Sequence, residues 1–179
     1  MATVMRGMWV CAWLGAVAAP SLGCDASNNG DAPAALAEPK GAGAVDGAKR
    51  AKRVEIVTAP AGDDVAALVR GEMDRARSDG RDLVVYVGAP WCEPCTRFHE
   101  AAAAGQLDTT FPTLRLLEFD HDKDEPRLAA AGYTSRMIPL FALPGDDGRA
   151  SGKQIEGSVK GDAAVAQISP RLLALMGKR

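Results

Sequence analysis

Hydrophobic residues follow two different spacings along residues 54–179, and the spacing changes at short intervals. Apolar runs with strand character occupy residues 54–57, 83–87, 114–120, 138–143 and 153–156. Between the first four runs, and again after the fifth, apolar residues recur three or four positions apart, as on one face of a helix. The order β-α-β-α-β-α-β-β-α predicts an α/β fold, with a central mixed β-sheet flanked by helices on both faces.

The predicted helices differ in length and regularity. The second covers residues 96–106, and the third is a short helix over residues 126–131 that follows an acidic turn at residues 120–125. Asp162 is predicted to cap the fourth helix, because a short acidic side chain can accept a hydrogen bond from the first helical turn. Pro170 should kink or restart that helix, since it lacks the N–H that a helix interior needs.

Residues 1–24 have the composition of a secretory signal, in which a basic start precedes an apolar stretch at residues 8–19. Their last part, residues 20–24, resembles the lipobox of bacterial lipoproteins, which implies that Cys24 becomes the lipidated first residue of the mature protein. Two alternatives remain, namely cleavage at an alanine-rich site such as residues 16–18 or retention as an uncleaved anchor. All three place the following domain outside the cytoplasm, on the periplasmic side of the cell envelope.

Residues 25–53 are rich in Ala, Gly, Pro and Asp and lack hydrophobic periodicity, so they predict a flexible tether ahead of a domain at residues 54–179. The chain has 179 residues, a net charge of −2 and 47% hydrophobic residues, which is typical of a globular protein. A nearly neutral charge does not suit nucleic-acid binding, which depends on phosphate contacts. We expect a monomer whose membrane contact is made by the N-terminal anchor.

The four cysteines lie in different contexts. Cys11 and Cys24 belong to the N-terminal segment, whereas Cys92 and Cys95 belong to the predicted domain. The second pair directly follows the apolar run at residues 83–87 and directly precedes the second helix. A Cys-x-x-Cys at a strand–helix junction is typical of a redox site, although two soft thiolates also suit a metal ion. A structural disulfide framework would need more pairs than this.

Two motifs carry a family resemblance. They are Trp91-Cys92-Glu93-Pro94-Cys95 and the segment that ends in Ile138-Pro139. With the order of elements between them, they make residues 54–179 similar to the thioredoxin superfamily, in the style of the membrane-anchored thiol-disulfide oxidoreductases of bacterial envelopes. The resemblance implies a cis peptide bond before Pro139, which brings backbone next to the cysteines and receives the substrate chain.

Cys92 is predicted to be the exposed nucleophile and Cys95 the buried resolving thiol. Only a thiolate attacks a disulfide, and the unpaired N–H groups and dipole of a helix N-terminus favour negative charge at Cys92. Pro94 suits the first helical turn, which has no N–H bond to lose. Trp91 is expected to cover the site and to offer an apolar rim to substrates. We expect no cofactor besides the redox-active disulfide, and no metal.

Three residues depart from the family pattern or leave alternatives. Tyr86 stands where cytoplasmic thioredoxins usually have a buried Asp that assists proton transfer from the second cysteine. Glu93 replaces a common Gly, and its carboxylate either opposes the Cys92 thiolate or is solvated without effect. His99, one helical turn after Cys95, is a surface residue, a residue that tunes the dithiol, or part of a metal site.

The leading hypothesis is a thiol-disulfide oxidoreductase that exchanges disulfides with protein substrates, as a reductant. The pair Ile138-Pro139 resembles that of reductive thioredoxins and supports this direction. One alternative is a copper-handling domain that uses Cys92, Cys95 and His99. Another is a binding module in which the thiols take no part.

Overall fold

The computed structural model describes residues 53–62 and 64–178. The predictions of a signal, a tether and lipidation at Cys24 fall outside the described residues. The strands are β1 Glu55–Thr58, β2 Asp82–Gly88, β3 Leu114–Asp120, β4 Leu140–Pro144 and β5 Ala150–Glu156, and the helices are α1 Val65–Ser78, α2 Glu93–Ala103, α3 His121–Ala130 and α4 Ala163–Leu175. The predicted order of elements is therefore confirmed.

The five strands form one mixed sheet in the order β1-β3-β2-β4-β5. β2 lies at its centre, parallel to β3 and antiparallel to β4, so that Val85 pairs with Leu117 on one side and Ala142 on the other. Because a central strand is covered on both faces, its side chains are almost all apolar. Every residue of β2 after Asp82 is buried, as the apolar run predicted.

A hydrophobic core lies on each face of the sheet. The first contains α1 side chains such as Val69, together with Val85 of β2 and Leu128 of α3. The second lies beneath α2 and α4 and consists mainly of large side chains, among them Tyr86, Phe98, Phe111, Phe141, Ile168 and Leu172. The helices therefore cover both faces of the sheet, as predicted.

Aromatic side chains hold α2 onto the sheet. The ring centroids of Phe98 and Phe141 are 4.8 Å apart in an edge-to-face arrangement, and those of Tyr86 and Phe141 are 5.0 Å apart. Such pairs contribute about 0.5–1.5 kcal/mol beyond the burial of their area. The start of α2, which carries the cysteine pair, is thereby fixed relative to the end of β2.

α3 differs most from its prediction. The expected acidic turn is the first turn of a helix that begins at His121, because the Asp120 side chain accepts hydrogen bonds from the N–H groups of Asp122 and Lys123 at 3.0 and 3.3 Å. The prediction of a short helix over residues 126–131 therefore placed the start of this helix too late. His121, which lies within the expected turn, is the first helical residue.

Other boundaries were also misplaced. α2 begins at Glu93, three residues earlier than predicted, because Pro94 fits the first helical turn. α4 runs through Pro170 to Leu175 and is not interrupted there. Asp162 occupies the N-cap position of α4, but its side chain makes no capping bond and accepts one from Arg97 instead. Among the described residues, none of the helices is both long and apolar enough to cross a membrane.

Candidate active site

The cysteine pair lies where the central strand passes into α2. β2 ends at Gly88, the N–H of Cys92 donates to the carbonyl of Ala89 at 3.0 Å, and Cys92 is the N-cap of α2. Cys95 follows in the first helical turn, so the two Cα atoms are 5.2 Å apart and the sulfurs form a disulfide. Pro94 lies between them in that same turn, as predicted.

Both cysteines are buried in this disulfide state. Cys92 is 5% exposed and Cys95 is 2% exposed. The prediction of a buried Cys95 is confirmed, whereas the prediction of an exposed Cys92 was wrong for the oxidised protein. The reason is that Ala89 and Ile138 pack against the disulfide and cover it.

The segment before β4 faces the disulfide, and its Ile138–Pro139 peptide bond is cis. Ile138 packs against the cluster formed by Ala89, Cys92 and Cys95. The carbonyl of Pro139 accepts a hydrogen bond of 2.9 Å from the N–H of Gly157, which connects this segment to the end of β5. The cis bond that the family resemblance implied is therefore present beside the cysteines.

Trp91 is an exposed side chain at the rim of the site. It is 65% exposed, its Nε1–H donates to Asp122 at 2.7 Å, and its ring meets the His121 ring edge-on. It is therefore not part of the core, and α3 holds it in place. A groove of about 380 Å³ runs past it and is lined by residues that include Cys92, Met137, Ile138 and Lys160. Met137 is also exposed, so two large apolar side chains, those of Trp91 and Met137, line the groove and remain accessible.

Glu93 is neither freely solvated nor unpaired beside Cys92. Its carboxylate accepts a hydrogen bond of 2.6 Å from Nε of Arg97, and both oxygens lie 3.0 Å from the N–H of Gly161. The Arg97 guanidinium, followed by the Gly161 N–H, holds the pKa of the Glu93 carboxyl below its ordinary value. Since Arg97 balances the charge, Glu93 opposes the Cys92 thiolate less than an unpaired carboxylate would. The sequence offered a carboxylate that opposes the thiolate or one that is solvated without effect. The structure shows a carboxylate that is paired with Arg97 and Gly161 instead.

Tyr86 is buried next to the second cysteine. Its side-chain hydroxyl donates to the carbonyl of Cys95 at 3.1 Å. Burial, and then the negative charge of Glu118, raises the pKa of the Tyr86 hydroxyl. The hydroxyl therefore stays protonated near neutral pH and holds the first turn of α2 in place.

Gly88 is a residue that the sequence interpretation missed. A Cβ atom at this position would lie 2.8 Å from the Tyr86 hydroxyl oxygen and 3.3 Å from Cβ of Cys95. The absence of a side chain thus lets the end of β2 approach the dithiol. A single Gly that ends an apolar run just before a Cys-x-x-Cys was the available signal.

His99 and Glu118 form a second polar pair near the cysteines. His99 Nδ1 and Glu118 Oε1 are 2.8 Å apart, and both residues line a cleft of about 790 Å³ that also reaches Cys95. Glu118 was not predicted, and its only signal was a charged residue within the apolar strand β3. In the part of the chain that the structure describes, no group of three or more His, Cys, Asp or Glu side chains is placed to hold a metal ion.

The sheet order, the dithiol at the start of α2 and the cis Ile138–Pro139 bond before β4 define a thioredoxin-like fold. A mutant thioredoxin of Halobacterium salinarum is similar at 18% identity, with 68% of this chain and 90% of that chain covered and a TM-score of 0.41. Fasciola hepatica thioredoxin is similar at 22% identity, with 71% and 99% covered and a TM-score of 0.43. A poplar thioredoxin h is similar at 18% identity, with 71% of this chain and 99% of that chain covered and a TM-score of 0.45. No family model and no curated protein matches the sequence.

Proposed function

We propose that this protein is a thiol-disulfide oxidoreductase that exchanges disulfides with protein substrates. One observation carries the proposal: the Cys92–Cys95 disulfide lies at the start of α2, against Ile138 and next to a groove with an exposed rim. A helix N-terminus stabilises a thiolate, and a second thiol within reach can complete the exchange. The groove offers room for a polypeptide that carries the target disulfide.

In the reductive direction the reduced protein starts the reaction. The Cys92 thiolate attacks one sulfur of a substrate disulfide, and the other substrate sulfur leaves as a thiolate. Cys95 then attacks Cys92 in this mixed disulfide, which forms the Cys92–Cys95 bond and releases the second substrate thiolate. The substrate disulfide gains two electrons and the dithiol loses two.

A trapping experiment tests this function. A Cys95→Ser variant, expressed with its N-terminal segment intact, should accumulate mixed disulfides on Cys92, because the resolving thiol is missing. The matched Cys92→Ser variant should accumulate far fewer. Equal capture by the two variants, or full biological function of Cys92→Ser, would favour a binding module over an oxidoreductase.

The proposed direction is that of a reductant. Measurement of the reduction potential against glutathione tests it, and we expect a value near that of thioredoxin, about −270 mV. A value near the about −120 mV of a strong periplasmic oxidant would contradict the reductant role but not the exchange reaction.

We further propose that the protein is exported and held at the periplasmic side of the envelope by a lipid on Cys24. The support is the signal-like composition of residues 1–24 and the resemblance of residues 20–24 to a lipobox. Metabolic labelling with a fatty acid should mark the wild-type chain and not a Cys24→Ser variant. A chain released by cleavage near residues 16–18 would be soluble in the periplasm and unlabelled.

A further inference from the structure

The resolving thiol has to lose a proton before it can attack. Cys95 is 2% exposed, and burial in apolar surroundings disfavours the thiolate. The neighbouring Tyr86 cannot take the proton, since its own hydroxyl is protonated and already donates to the carbonyl of Cys95. A different group must therefore accept the Cys95 proton.

Two residues from two different elements line the same cleft as Cys95. His99 follows Cys95 by four positions on α2, and side chains at that spacing are neighbours on one helix face. Glu118 of β3 is the register partner of Tyr86, whose hydroxyl bonds to the Cys95 backbone.

The cleft connects these groups. Cys95, His99 and Glu118 all line it, and the side chains of His99 and Glu118 are 40% and 23% exposed. A base can accept a proton directly or through one water molecule. When His99 is neutral and its Nδ1–H donates to Glu118, Nε2 remains an acceptor. The pair thus combines a base with a carboxylate that stabilises the imidazolium formed.

Other charged groups of the cleft have fixed partners or lie at its rim. Asp120 pairs with Lys123 at 3.1 Å, and Asp124 pairs with Arg127 at 2.9 Å. Glu100 is an exposed carboxylate of α2 that lines the same cleft. The partner of Glu118, by contrast, is the imidazole of His99, 2.8 Å away, whose ring nitrogens can donate or accept a hydrogen bond.

We infer that the Glu118–His99 pair accepts the proton of the Cys95 thiol during the resolving step, an inference that rests on the proposed oxidoreductase function. The Cys95 S–H bond breaks and its proton passes to the pair. The Cys92–Cys95 bond then forms as the bond from Cys92 to the substrate breaks, and the substrate leaves as a thiolate. In the reverse direction the pair returns the proton to the Cys95 thiolate.

The test distinguishes the reactions of the two cysteines as two successive kinetic phases. The reduced full-length chain, with Cys11 and Cys24 replaced by serine, is mixed with an equimolar chromogenic aromatic disulfide in a stopped-flow instrument. A first coloured thiolate leaves when Cys92 attacks, and a second leaves when Cys95 resolves the mixed disulfide. A Cys95→Ser variant, which lacks the second phase, assigns the phases.

Glu118→Gln and His99→Gln should slow the second phase by about tenfold to a hundredfold, since general bases contribute about 10²–10⁴-fold and solvent bases replace part of this. In the wild type the rate of the second phase should change with pH through an inflection, and both variants should remove that inflection. Both should leave the rate of the first phase unchanged, which also shows that the variants fold. The double variant should be no slower than the slower single one, because the two residues act as a unit. The control Glu100→Gln, which removes another carboxylate from the cleft, should keep the rate and the pH profile.

A second phase that keeps the wild-type rate in both variants would overturn the inference. A second phase that is slower but keeps the wild-type pH profile would overturn it too, because a purely structural role predicts that result. Failure of the proposed function looks different. In that case the wild-type chain would not reduce protein disulfides and the Cys95→Ser variant would capture no substrates, whatever the Glu118 and His99 variants do.

Discussion

The carboxylate of Glu93 and Nε of Arg97 lie 2.6 Å apart, one helical turn from each other on α2. This pair places a guanidinium against the only acidic side chain within the Cys-x-x-Cys motif. The N–H of Gly161 adds a bond from the turn before α4, so the carboxylate is held from two sides. These two contacts explain how the fold accommodates an acidic side chain directly next to Cys92.

Removal of Arg97 should make Cys92 a weaker acid. In Arg97→Gln the Glu93 charge is balanced less, so the pKa of Cys92 should rise and its attack at neutral pH should slow, by less than about fivefold because exposed ion pairs are weak. Glu93→Gln should not raise that pKa. Ultraviolet titration of the thiolate in the reduced protein measures both variants, and a lower Cys92 pKa in Arg97→Gln would contradict the prediction.

The same ion pair should make stability depend on pH in a defined range. The pKa of Glu93 is lowered in the folded protein from an ordinary value of 4.5, by Arg97 first and Gly161 second. Its contribution is therefore complete above about pH 4.5 and is lost as the pH falls through the folded value. The difference in unfolding free energy between wild type and Glu93→Gln should shrink on acidification in urea titrations. A difference that grows below pH 4.5 would have the wrong sign.

Tyr86→Phe should cost about 1 kcal/mol of unfolding free energy, because it removes a buried hydrogen bond to the Cys95 carbonyl. Tyr133→Phe is a matched control, since the Tyr133 hydroxyl is also buried and donates to the carbonyl of Gly148 at 2.9 Å. Both variants should lose similar stability in denaturant titrations. Only Tyr86→Phe should change the reduction potential, and an equal change in both would argue against a local effect.

Gly88→Ala should destabilise the fold by about 1–3 kcal/mol, as overpacking of a core does. The added Cβ would meet the Tyr86 hydroxyl oxygen at 2.8 Å, so that side chain must move away from Cys95. Gly71→Ala, on α1, is the control because nothing lies within 4 Å of the added atom. It should stabilise the helix by about 0.5–1 kcal/mol. Thermal unfolding of the two variants should therefore shift in opposite directions.

Trp91→Ala should affect protein substrates more than folding. Since the side chain is 65% exposed, the unfolding free energy should change by less than about 0.5 kcal/mol. kcat/KM for a protein disulfide should fall about tenfold, because large aromatic side chains dominate contact surfaces. Reaction of Cys92 with a small aromatic disulfide should change much less. Equal losses for the two substrates would show that Trp91 acts on the cysteines and not on substrate binding.

Local patterns in the sequence were sufficient for the order of the elements. The apolar run that became β2 needed no partner to be recognised, because every residue of a central strand is covered and only apolar side chains suit that place. The redox pair was recognised in the same way, as two thiols at a strand–helix junction. Pro139 was placed beside them through the family resemblance.

Helix boundaries depended on contacts that the local pattern does not reveal. Asp120 could have ended a strand or capped a helix, and its hydrogen bonds to Asp122 and Lys123 decide in favour of the helix. Asp162 looked like a cap, but Arg97, 65 residues away in sequence, takes its carboxylate instead. Short polar side chains have several local and distant partners to choose from, so their sequence context leaves the choice open.

The sequence by itself therefore determined the fold class and the position of the two paired thiols, because both depend on residue types at short spacings. Only the tertiary structure decided what surrounds those thiols. Gly161 reaches Glu93 across 68 positions, and the register of β2 with β3 puts Glu118 beside Tyr86. Such neighbours follow from strand register and helix packing, which bring together residues that are far apart in the chain.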